Sequence, residues 1–598
     1  MKTLLVSLDS KFIHSNLALR YIKNYCADSF DIEIREFTIN QKIEYITDEI
    51  IGTKADLICF SCYIWNIEYI NEIIYILKIA NPNIKILFGG PEVSYEIRKV
   101  MQDNALIDFI IYGEGEISFK DFLTAIHKNE DLSEVKGLAY RNTSETLPEL
   151  SDNLSYKPEI ENEIIINDPR EVNYNLDILA FPYENDDNNI SVINYADKII
   201  YYESSRGCPF RCSFCMSSID KSVRTFSLER VKKDLLILLS SKARQIKFVD
   251  RTFNADYKRA MKIMQFIVDN NKNNMTIHFE ITADIIIDEF LEFLKLMPVN
   301  MFQFEIGVQS LNEKTLCEIN RKTDIDKLVY VVNKIKENKN IHMHLDLIAG
   351  LPYEDYDIFK LSFNRIHNLY ADKLQLGFLK VLRGTKIYQD LEIHAIKYNK
   401  KAPYEIIKNK YISYEEILKL KNIEELVDRY YNERYFYNTI IYIMENFYDN
   451  KAFDFYEEFS KYWKSRNLYM AMHNRKKLYE IIYDFAKNKG ILTKEFMDNL
   501  IYDFVSCNEK EELLYIFDKE KEESLRDTKK NIAKSKEFRK KYFDIEDMNY
   551  RIINDFRLIN ISGDIILFLY KNKENIFERC KTYKINEFLE PMYHKEEH

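Results

Sequence analysis

The run Tyr202-Glu203-Ser204-Ser205-Arg206-Gly207-Cys208-Pro209-Phe210-Arg211-Cys212-Ser213-Phe214-Cys215-Met216 constrains this chain more than any other. Three cysteines at C-x3-C-x2-C spacing follow directly on an apolar, strand-like stretch, Lys198–Ser204. Gly207 and Pro209 break the strand, so the thiols belong to a loop at its carboxyl end. A loop this short turns several sulfurs toward one point, which suits an iron–sulfur cluster. Clusters ligated wholly by protein take four cysteines. This loop supplies three, which leaves one iron open to another ligand. Zinc would want a fourth protein ligand at a second paired spacing, and neither a C-x2-C nor an H-x3-H follows within reach. A disulfide with one thiol left over does not suit a chain that reads as intracellular.

At 598 residues the chain is too long for one ordinary domain, and about three or four are expected. A net charge of −11 argues against bulk electrostatic binding to nucleic acid. Met1–Leu8 reads as a strand, and Asp9 ends the apolar run too early for a secretory leader. No run of about 18 apolar residues is present, so no membrane span is expected. The nine cysteines are Cys26, Cys59, Cys62, Cys208, Cys212, Cys215, Cys317, Cys507 and Cys580. They form no disulfide framework, and a cytoplasmic location is expected.

The first 127 residues alternate strand and helix signals: strands at 3–8, 31–37, 55–63, 84–88 and 106–111, helices at 16–25, 42–51, 66–80 and 117–127. Near-continuously apolar strands in strict alternation with helices predict a doubly wound parallel sheet. Ligands of such sheets bind beyond the strand carboxyl ends. There stand Ser10–Ser15, Ser61–Asn66, Gly89–Ser94 and Gly113–Glu116, with glycines that let a large ligand approach closely. No G-x-G-x-x-G follows the first strand, and the paired acidic residues of a receiver domain are absent near Asp9. Cys59 and Cys62 straddle a buried strand, point to opposite faces, and read as core. From Leu132 to Asn189 periodicity weakens and Asn, Asp, Glu and Pro accumulate, as in a linker. Val135–Arg141 is expected as one strand of a hairpin, and Glu184-Asn185-Asp186-Asp187 as a solvated turn.

Strand–helix units return from Ser191 to about Asp390: strands at 198–204, 245–249, 276–282, 301–308, 342–347 and 373–379, with helices between them. Six parallel strands of this kind predict a partial α/β barrel with function at the strand carboxyl ends. Three strands alternate sharply. His278 and Glu280 alternate with Phe279 and Ile281; Gln303, Glu305, Gly307 and Gln309 with Phe302, Phe304, Ile306 and Val308; His342, His344 and Asp346 with Met343, Leu345 and Leu347. The apolar face packs on helices and the polar face lines the lumen. Burying that many polar groups is costly unless a ligand or network satisfies them, so the lumen is expected to hold a polar ligand. His342, His344 and Asp346 share one face and form a metal triad or, better supported by the neighbouring strands, lumen hydrogen bonding. Beyond Glu405 the spacing is helical and rich in Tyr, Lys and Glu. Tyr430, Tyr431, Tyr435, Phe436 and Tyr442 read as helical core, the basic run 526–541 as part of a solvated helix pair, and 551–571 as a strand pair around Ser562-Gly563-Asp564.

These motifs resemble the radical S-adenosylmethionine (SAM) enzymes that carry a cobalamin (B12)-binding domain. The resemblance implies an N-terminal doubly wound parallel sheet of the cobalamin-binding type at 1–131, a linker at 132–190, a partial (β/α)6 barrel at 191–395, and a mostly helical domain at 396–598. The last resembles an uncharacterised extension found on some such proteins and is expected to cover the barrel mouth and shape substrate choice. The cysteine loop matches the family's cluster loop. It implies a [4Fe-4S] cluster on Cys208, Cys212 and Cys215, its open iron chelated by SAM and shielded by Phe214. Gly307-Val308-Gln309-Ser310 resembles the fourth-strand G-x-Q-S, which implies SAM contacts from Gln309 and Ser310. Asp346-Leu347-Ile348-Ala349-Gly350-Leu351-Pro352 resembles the fifth-strand D-x-I-x-G-L-P, which brings Gly350 and Pro352 to adenine. Glu280 matches the position at the ribose hydroxyls. Val249-Asp250-Arg251-Thr252-Phe253 stands where many members carry G-G-E, so Asp250 is expected at the methionine amine. Arg321 is a candidate for the SAM carboxylate, or a surface arginine. In the N-terminal part, His14, Ser61, Trp65, Gly89, Gly90, Pro91, Glu92, Gly113, Glu114 and Gly115 fall on pieces that resemble the cobalamin site. The D-x-H-x-x-G of base-off cobalamin proteins is missing, so His14 is the lower axial ligand or Trp65 caps the lower face without coordinating.

The implied activity is reductive cleavage of SAM to a 5′-deoxyadenosyl radical, hydrogen abstraction from an unactivated carbon, and methylation through methylcobalamin. A flavodoxin- or ferredoxin-type donor supplies the electron, and the substrate is a small molecule or peptide. Rearrangement, cyclisation or redox chemistry without methyl transfer is the alternative. A cobalamin or redox sensor is a third reading, against which the intact cysteine loop and the polar lumen count.

Overall fold

The computed structural model describes residues 1–142, 164–183, 198–220, 222–545, 552–570 and 580–593. The chain forms two compact units: Met1–Tyr356 with Gly377–Ile417, and Asp357–Leu376 with Leu418–His598. Residues 396–417, expected with the C-terminal domain, thus fall in the first unit. The helix at 356–367, expected as a barrel helix, lies almost wholly in the second. The acidic run at 184–187 and the ends of the expected strand pair, Arg551 and Lys571, lie outside the described residues.

The N-terminal sheet is built from β1 (Thr3–Asp9), α1 (Leu17–Cys26), β2 (Ile32–Thr38), α2 (Ile43–Gly52), β3 (Leu57–Ser61), α3 (Ile67–Ala80), β4 (Lys85–Gly89), α4 (Ile97–Asp103), β5 (Phe109–Ile111) and α5 (Gly115–Lys128). Its strands run β2-β1-β3-β4-β5 with every neighbour parallel, as the alternation predicts. Each face carries its own core. Leu4, Val6, Phe60, Cys62 and Phe88 lie on one side, Leu5, Leu57, Cys59 and Leu87 on the other, so the two cysteines do part to opposite faces. Each such side chain contributes about 1.5–3 kcal/mol by burial. Asn16 caps α1 by accepting the Leu19 amide at 3.0 Å, a bond worth about 1 kcal/mol.

Two features depart from the expected sheet. The short helix α4 buries only Val100 and Met101, too little to show as periodicity. The strand expected within 135–141 is β6 (Leu138–Arg141), but it joins this sheet, antiparallel to β5, and an unexpected β7 (Ile164–Ile166) pairs antiparallel with it. Leu138, Ala139 and Ile164 are buried there, which is why these few apolar residues extend the sheet. It therefore has seven strands, the last two pairings antiparallel.

The second sheet begins with β8 (Ile199–Tyr202), followed by a two-stranded ribbon of β9 (Ser205–Arg206) and β10 (Arg224–Thr225). Then come α6 (Leu228–Ser240), β11 (Gln245–Phe248), α7 (Tyr257–Asn270), β12 (Thr276–Ile281), α8 (Asp288–Lys295), β13 (Phe302–Gln309), α9 (Glu313–Glu318), α10 (Ile325–Asn338), β14 (Ile341–Ala349), α11 (Tyr356–His367) and β15 (Lys373–Phe378). The order β8-β11-β12-β13-β14-β15 is sequential, and the pairings from β8 to β14 are parallel. Ser227, Asp256 and Asp324 cap α6, α7 and α10 with their side chains. Phe279, Phe302, Phe304, Ile306, Leu345 and Leu347 are fully buried on one face of the sheet. Alternation leaves His278, Glu280, Glu305, His344 and Asp346 on the other.

The second unit is mainly helical, with helices Tyr437–Phe447, Ala452–Ser465, Arg475–Lys489 and Lys494–Cys507. Tyr430, Tyr431 and Phe436 are core as expected, whereas Tyr435 and Tyr442 are only half-buried. The strand pair is Phe556–Ile561 with Asp564–Leu569, joined by a third strand, Lys581–Lys584. The basic run forms the helices Arg526–Lys534 and Lys536–Phe543. Among the described residues no helix is long and apolar enough to cross a membrane.

Candidate active site

The cysteine loop leaves β9 and returns through β10, where Arg206 is paired with Arg224. Gly207 has φ +91°, and a Cβ there would lie 1.8 Å from the Ser222 carbonyl oxygen, so only glycine closes the loop. Neighbouring segments hold it. Ser213 donates its amide to the Ile319 carbonyl (2.8 Å), Ile387 donates to the Ser213 carbonyl (2.9 Å), and Asn320 Nδ2 donates to the Arg211 carbonyl (3.0 Å). Cys208 Sγ lies 3.6 Å from Thr252 Oγ1, and Cys212 Sγ lies 3.7 Å from Arg321 Nη1. Burial pushes the Cys212 thiol pKa up while Arg321 pulls it back, and Cys215 and Cys208 each raise it further. The three thiols therefore share one loop and feel one another's charge. Among the described residues no three His, Cys, Asp or Glu side chains gather around a point fit for a single metal ion. A cluster makes no such demand, because each sulfur takes a separate iron. Half-buried Phe214 stands beside Cys215.

Asp250, expected at the methionine amine, is otherwise engaged. It is 1% exposed and accepts from the Ser204 amide (2.8 Å), Ser204 Oγ (2.6 Å) and Ser205 Oγ (2.7 Å). Its carboxylate braces the strand end from which the cysteine loop springs.

The polar strand faces form a network. Glu305 takes Lys247 Nζ at 3.1 Å and His278 Nε2 at 2.9 Å. Burial alone would raise the Glu305 pKa, but these partners hold it at about 2. Gln245 Nε2 donates to Gln303 Oε1 (3.3 Å), and Gln303 Nε2 lies 3.0 Å from His344 Nε2. Burial pushes the Asp346 carboxyl well above the usual range, with Glu305 and Glu280 adding to it. Burial likewise raises Glu280, against the pull of Arg251. Ser310 Oγ donates to Glu354 Oε1 (2.6 Å). Gln309 sits at φ +72°, and Gly307 gives its side chain room, since a Cβ there would come within 2.3 Å of Gln309 Nε2. Gly350 has φ +87°, with its carbonyl bonded by Asn409 Nδ2 at 2.9 Å, and the Pro352 carbonyl accepts from Thr315 Oγ1 at 2.9 Å. Asp346 Oδ1, Gln309 Oε1 and Arg321 Nε are buried with no hydrogen-bond partner among the described residues. Buried polar atoms are rarely left so, which fits a polar ligand at these strand ends.

A cavity of about 1240 Å³ opens at the carboxyl ends of the N-terminal strands. It exceeds the roughly 300–1,000 Å³ usual for small-molecule pockets and so suits a large ligand. Of the residues expected at cobalamin, His14, Trp65, Gly90, Pro91, Gly113, Glu114 and Gly115 line it. Ser61, Gly89 and Glu92 stand behind it. Ser61 Oγ accepts from Asn16 Nδ2 (2.9 Å), the Gly89 carbonyl accepts from the Cys62 amide (2.7 Å), and buried Glu92 accepts from the Tyr404 hydroxyl. Gly90, at φ +109°, lies where a Cβ would meet the Cys62 carbonyl oxygen at 2.7 Å. Trp65 stacks flat on Tyr63 (centroids 4.3 Å apart, planes 7° apart) and donates its indole N–H to the Leu8 carbonyl at 3.2 Å. His14 Nδ1 lies 2.6 Å from the Tyr201 hydroxyl, and burial lowers its pKa. Asp9 also lines the cavity, and burial, with Glu36, pushes its carboxyl up to about 7.

Glu114 does more than line the cavity. It bonds Arg224 Nη1 at 3.1 Å and lies 3.7 Å from Arg206 Nη1. Tyr201 and Glu203 from the end of β8, Arg206 from β9, and Val249 and Arg251 from the end of β11 also line it. Both parallel sheets thus feed one cavity. Sequence reading missed these five as cavity residues, although they flank the cysteine loop and the Val249–Phe253 segment already singled out.

Residues 4–123 match the B12 binding domain, 202–366 the Radical SAM superfamily, and 392–575 a protein family of unknown function, DUF4080. An uncharacterized methyltransferase from Pyrococcus horikoshii is 26% identical over 323 residues, covering 52% of this chain and 64% of the relative. The cobalamin-dependent radical SAM methyltransferase TokK from Streptomyces tokunonensis is 23% identical over 355 residues, covering 56% of this chain and 47% of TokK. The chain spans less than two thirds of the length of either relative. The structure of the cobalamin-dependent S-adenosylmethionine radical enzyme OxsB with aqua-cobalamin bound shares the fold, with a TM-score of 0.57 at 16% identity over 84% of this chain and 79% of OxsB. The chain thus carries a B12-binding domain followed by a radical SAM domain, and in this it is similar to the cobalamin-dependent radical SAM enzymes.

Proposed function

We propose that this enzyme is a cobalamin-dependent radical SAM methyltransferase acting on an unactivated carbon. The observation that carries the reading is the cavity of about 1240 Å³ whose wall joins the N-terminal strand ends to β8 and β11, against the cysteine loop. Cys208, Cys212 and Cys215 hold a [4Fe-4S] cluster in this reading. Phe214, Glu280, Gln309, Ser310, Gly350 and Pro352 surround SAM, and the N-terminal cavity takes cobalamin. When bound, the cluster and SAM supply a hydrogen-abstracting radical, with electrons from a flavodoxin- or ferredoxin-type donor, and cobalamin supplies the methyl group. The chain's own part is positioning. Arg321 offsets the thiolate charge at Cys212, Asp250 fixes the loop's springing point, and the unpartnered Asp346 Oδ1 and Gln309 Oε1 receive donors from the bound ligand. The Tyr63–Trp65 platform offers a flat apolar face to the macrocycle. The substrate is a small molecule or peptide, its choice shaped by the C-terminal region, and the enzyme works in the cytoplasm beside its reductant.

The test is anaerobic reconstitution with iron, sulfide and hydroxocobalamin, followed by incubation with SAM, dithionite and cell extract as the substrate pool. Formation of both S-adenosylhomocysteine and 5′-deoxyadenosine, with label from methyl-labelled SAM in a product, is expected. 5′-Deoxyadenosine alone would replace methylation by rearrangement, cyclisation or redox chemistry. No SAM cleavage at all would sink the enzymatic reading in favour of a binding module.

A further inference from the structure

The wall between the cavity and the cysteine loop carries a set of charges that the reading above leaves without a role. Arg206 directly precedes Gly207-Cys208. Its Nε bonds Glu203 Oε1 at 2.9 Å, and its Nη2 bonds Glu203 Oε1 at 2.8 Å and Glu116 Oε1 at 2.5 Å. Arg224 stands opposite in the β9–β10 ribbon. It donates to Glu114 Oε2 (3.1 Å), Asp220 Oδ2 (2.9 Å) and the Asn173 carbonyl (2.8 Å). Glu114 and Glu116 belong to the start of α5, in the N-terminal domain: Glu114 holds the N-cap position and Glu116 the first turn. The two ends of the cysteine loop are therefore both fastened to one helix start of the other domain. The Arg206 set is well shielded, with side chains 16% exposed at Arg206 and 10% at Glu116 and Glu203, whereas Arg224 (2%) is buried against a more open Glu114 (29%). Arg206, Glu203, Glu114 and Glu116 also line the cavity.

We infer that Glu114 and Glu116 are positioning residues for the cysteine loop, acting through Arg206 and Arg224, and that they couple occupancy of the cobalamin cavity to loading of the cluster. The inference rests on the functional reading above. Its physical basis is local dielectric. A large ligand filling the cavity displaces water from one side of these ion pairs, and a pair in drier surroundings attracts more strongly. Tighter pairs hold both loop ends, and so the three thiols between them, in one arrangement. Linkage makes the effect reciprocal: a loop already fixed by a cluster presents Glu114 and Glu116 in place for the corrinoid.

The experiment measures hydroxocobalamin affinity by absorbance titration on the full chain, with and without reconstituted cluster, and cluster content by iron analysis and electron paramagnetic resonance. Wild-type protein is expected to bind cobalamin at least about fivefold more tightly when the cluster is present. Glu116→Gln is expected to bring that ratio close to one, whatever it does to the affinity itself, and Glu116→Asp to restore most of it. Equal affinities in wild-type protein with and without cluster would overturn the coupling whatever the variants do, even if Glu116→Gln fails to fold. A chain that binds both groups independently refutes only this inference. A chain that takes up neither refutes the functional reading, and the inference with it.

Discussion

Cys212 Sγ and the Arg321 guanidinium lie 3.7 Å apart, and the same guanidinium donates to the Gly307 carbonyl at the carboxyl end of β13. One arginine thus joins the cysteine loop to the strand whose end carries Gln309 and Ser310. Burial raises the Cys212 thiol pKa and Arg321 opposes that rise. Replacing Arg321 by Met should move the thiol further up and slow alkylation of Cys212 at neutral pH in cluster-free protein. Alkylation followed by mass spectrometry across pH reads this directly. An unchanged pH profile would mean the arginine serves only Gly307.

Gly207→Ala should uncouple the two cofactor sites in a different way. The added Cβ meets the Ser222 carbonyl oxygen at 1.8 Å, and φ +91° is strained for any residue with a side chain. Strain of this kind costs about 1–3 kcal/mol before the clash is counted. The loop should open, so iron content after reconstitution falls severalfold while hydroxocobalamin still binds, more weakly. Full iron loading in this variant would contradict the described closure. A Cys212→Ala chain, which keeps the glycine, should likewise lose the cluster and retain cobalamin.

Much of this arrangement is legible in the residues. The alternation of His278, Gln303, Glu305, His344 and Asp346 with large apolar residues reports which face each occupies, because a strand's side chains have a period of two. Helix α6 takes its cap from the residue next to it, Ser227, which accepts the Arg230 amide. Period and capping are local signals, and partners are not. Arg206 and Glu116 are 90 residues apart, and Tyr404 reaches Glu92 across 312, so no window shows that these charges meet. Asp250's protein partners were hidden for the same reason, since a carboxylate at a strand end looks alike in sequence whether or not it accepts from the neighbouring Ser204 and Ser205. The strand expected within 135–141 is present as β6, whereas β7 escaped because three apolar residues amid polar ones read as linker.

Asp9 supplies a pH test. Its carboxyl is buried on the cavity wall and pushed up to about 7 from an ordinary value of 3.8. Between those values the folded chain holds a proton that the unfolded chain has released, so stability falls as pH rises through this window. The total effect is a few kcal/mol at about 1.4 per pKa unit. Asp9→Asn should remove the slope, gaining on the wild type at pH 8 relative to pH 5 in urea unfolding. Parallel stability profiles for the two proteins would show that Asp9 is ionised in the fold.

The lower face of the cavity separates two roles that sequence reading left between His14 and Trp65. His14 Nδ1 is taken up by the Tyr201 hydroxyl at 2.6 Å, and burial disfavours its charged form. Trp65 is 42% exposed, yet it cannot swing freely: its ring lies parallel to Tyr63 and its N–H is tied to the Leu8 carbonyl. A fixed, half-exposed aromatic plane is what a flat macrocycle covers at least entropic cost. Covering it removes apolar area worth about 1.5–3 kcal/mol for a whole side chain. Trp65→Ala should therefore weaken hydroxocobalamin binding by at least about tenfold, since 1.4 kcal/mol corresponds to a factor of ten, while Trp65→Phe keeps most of the affinity. His14→Ala should leave the absorption spectrum of the bound corrinoid unchanged. If instead His14→Ala shifts that spectrum and Trp65→Ala binds normally, the imidazole is the cobalt ligand and the aromatic pair is only packing.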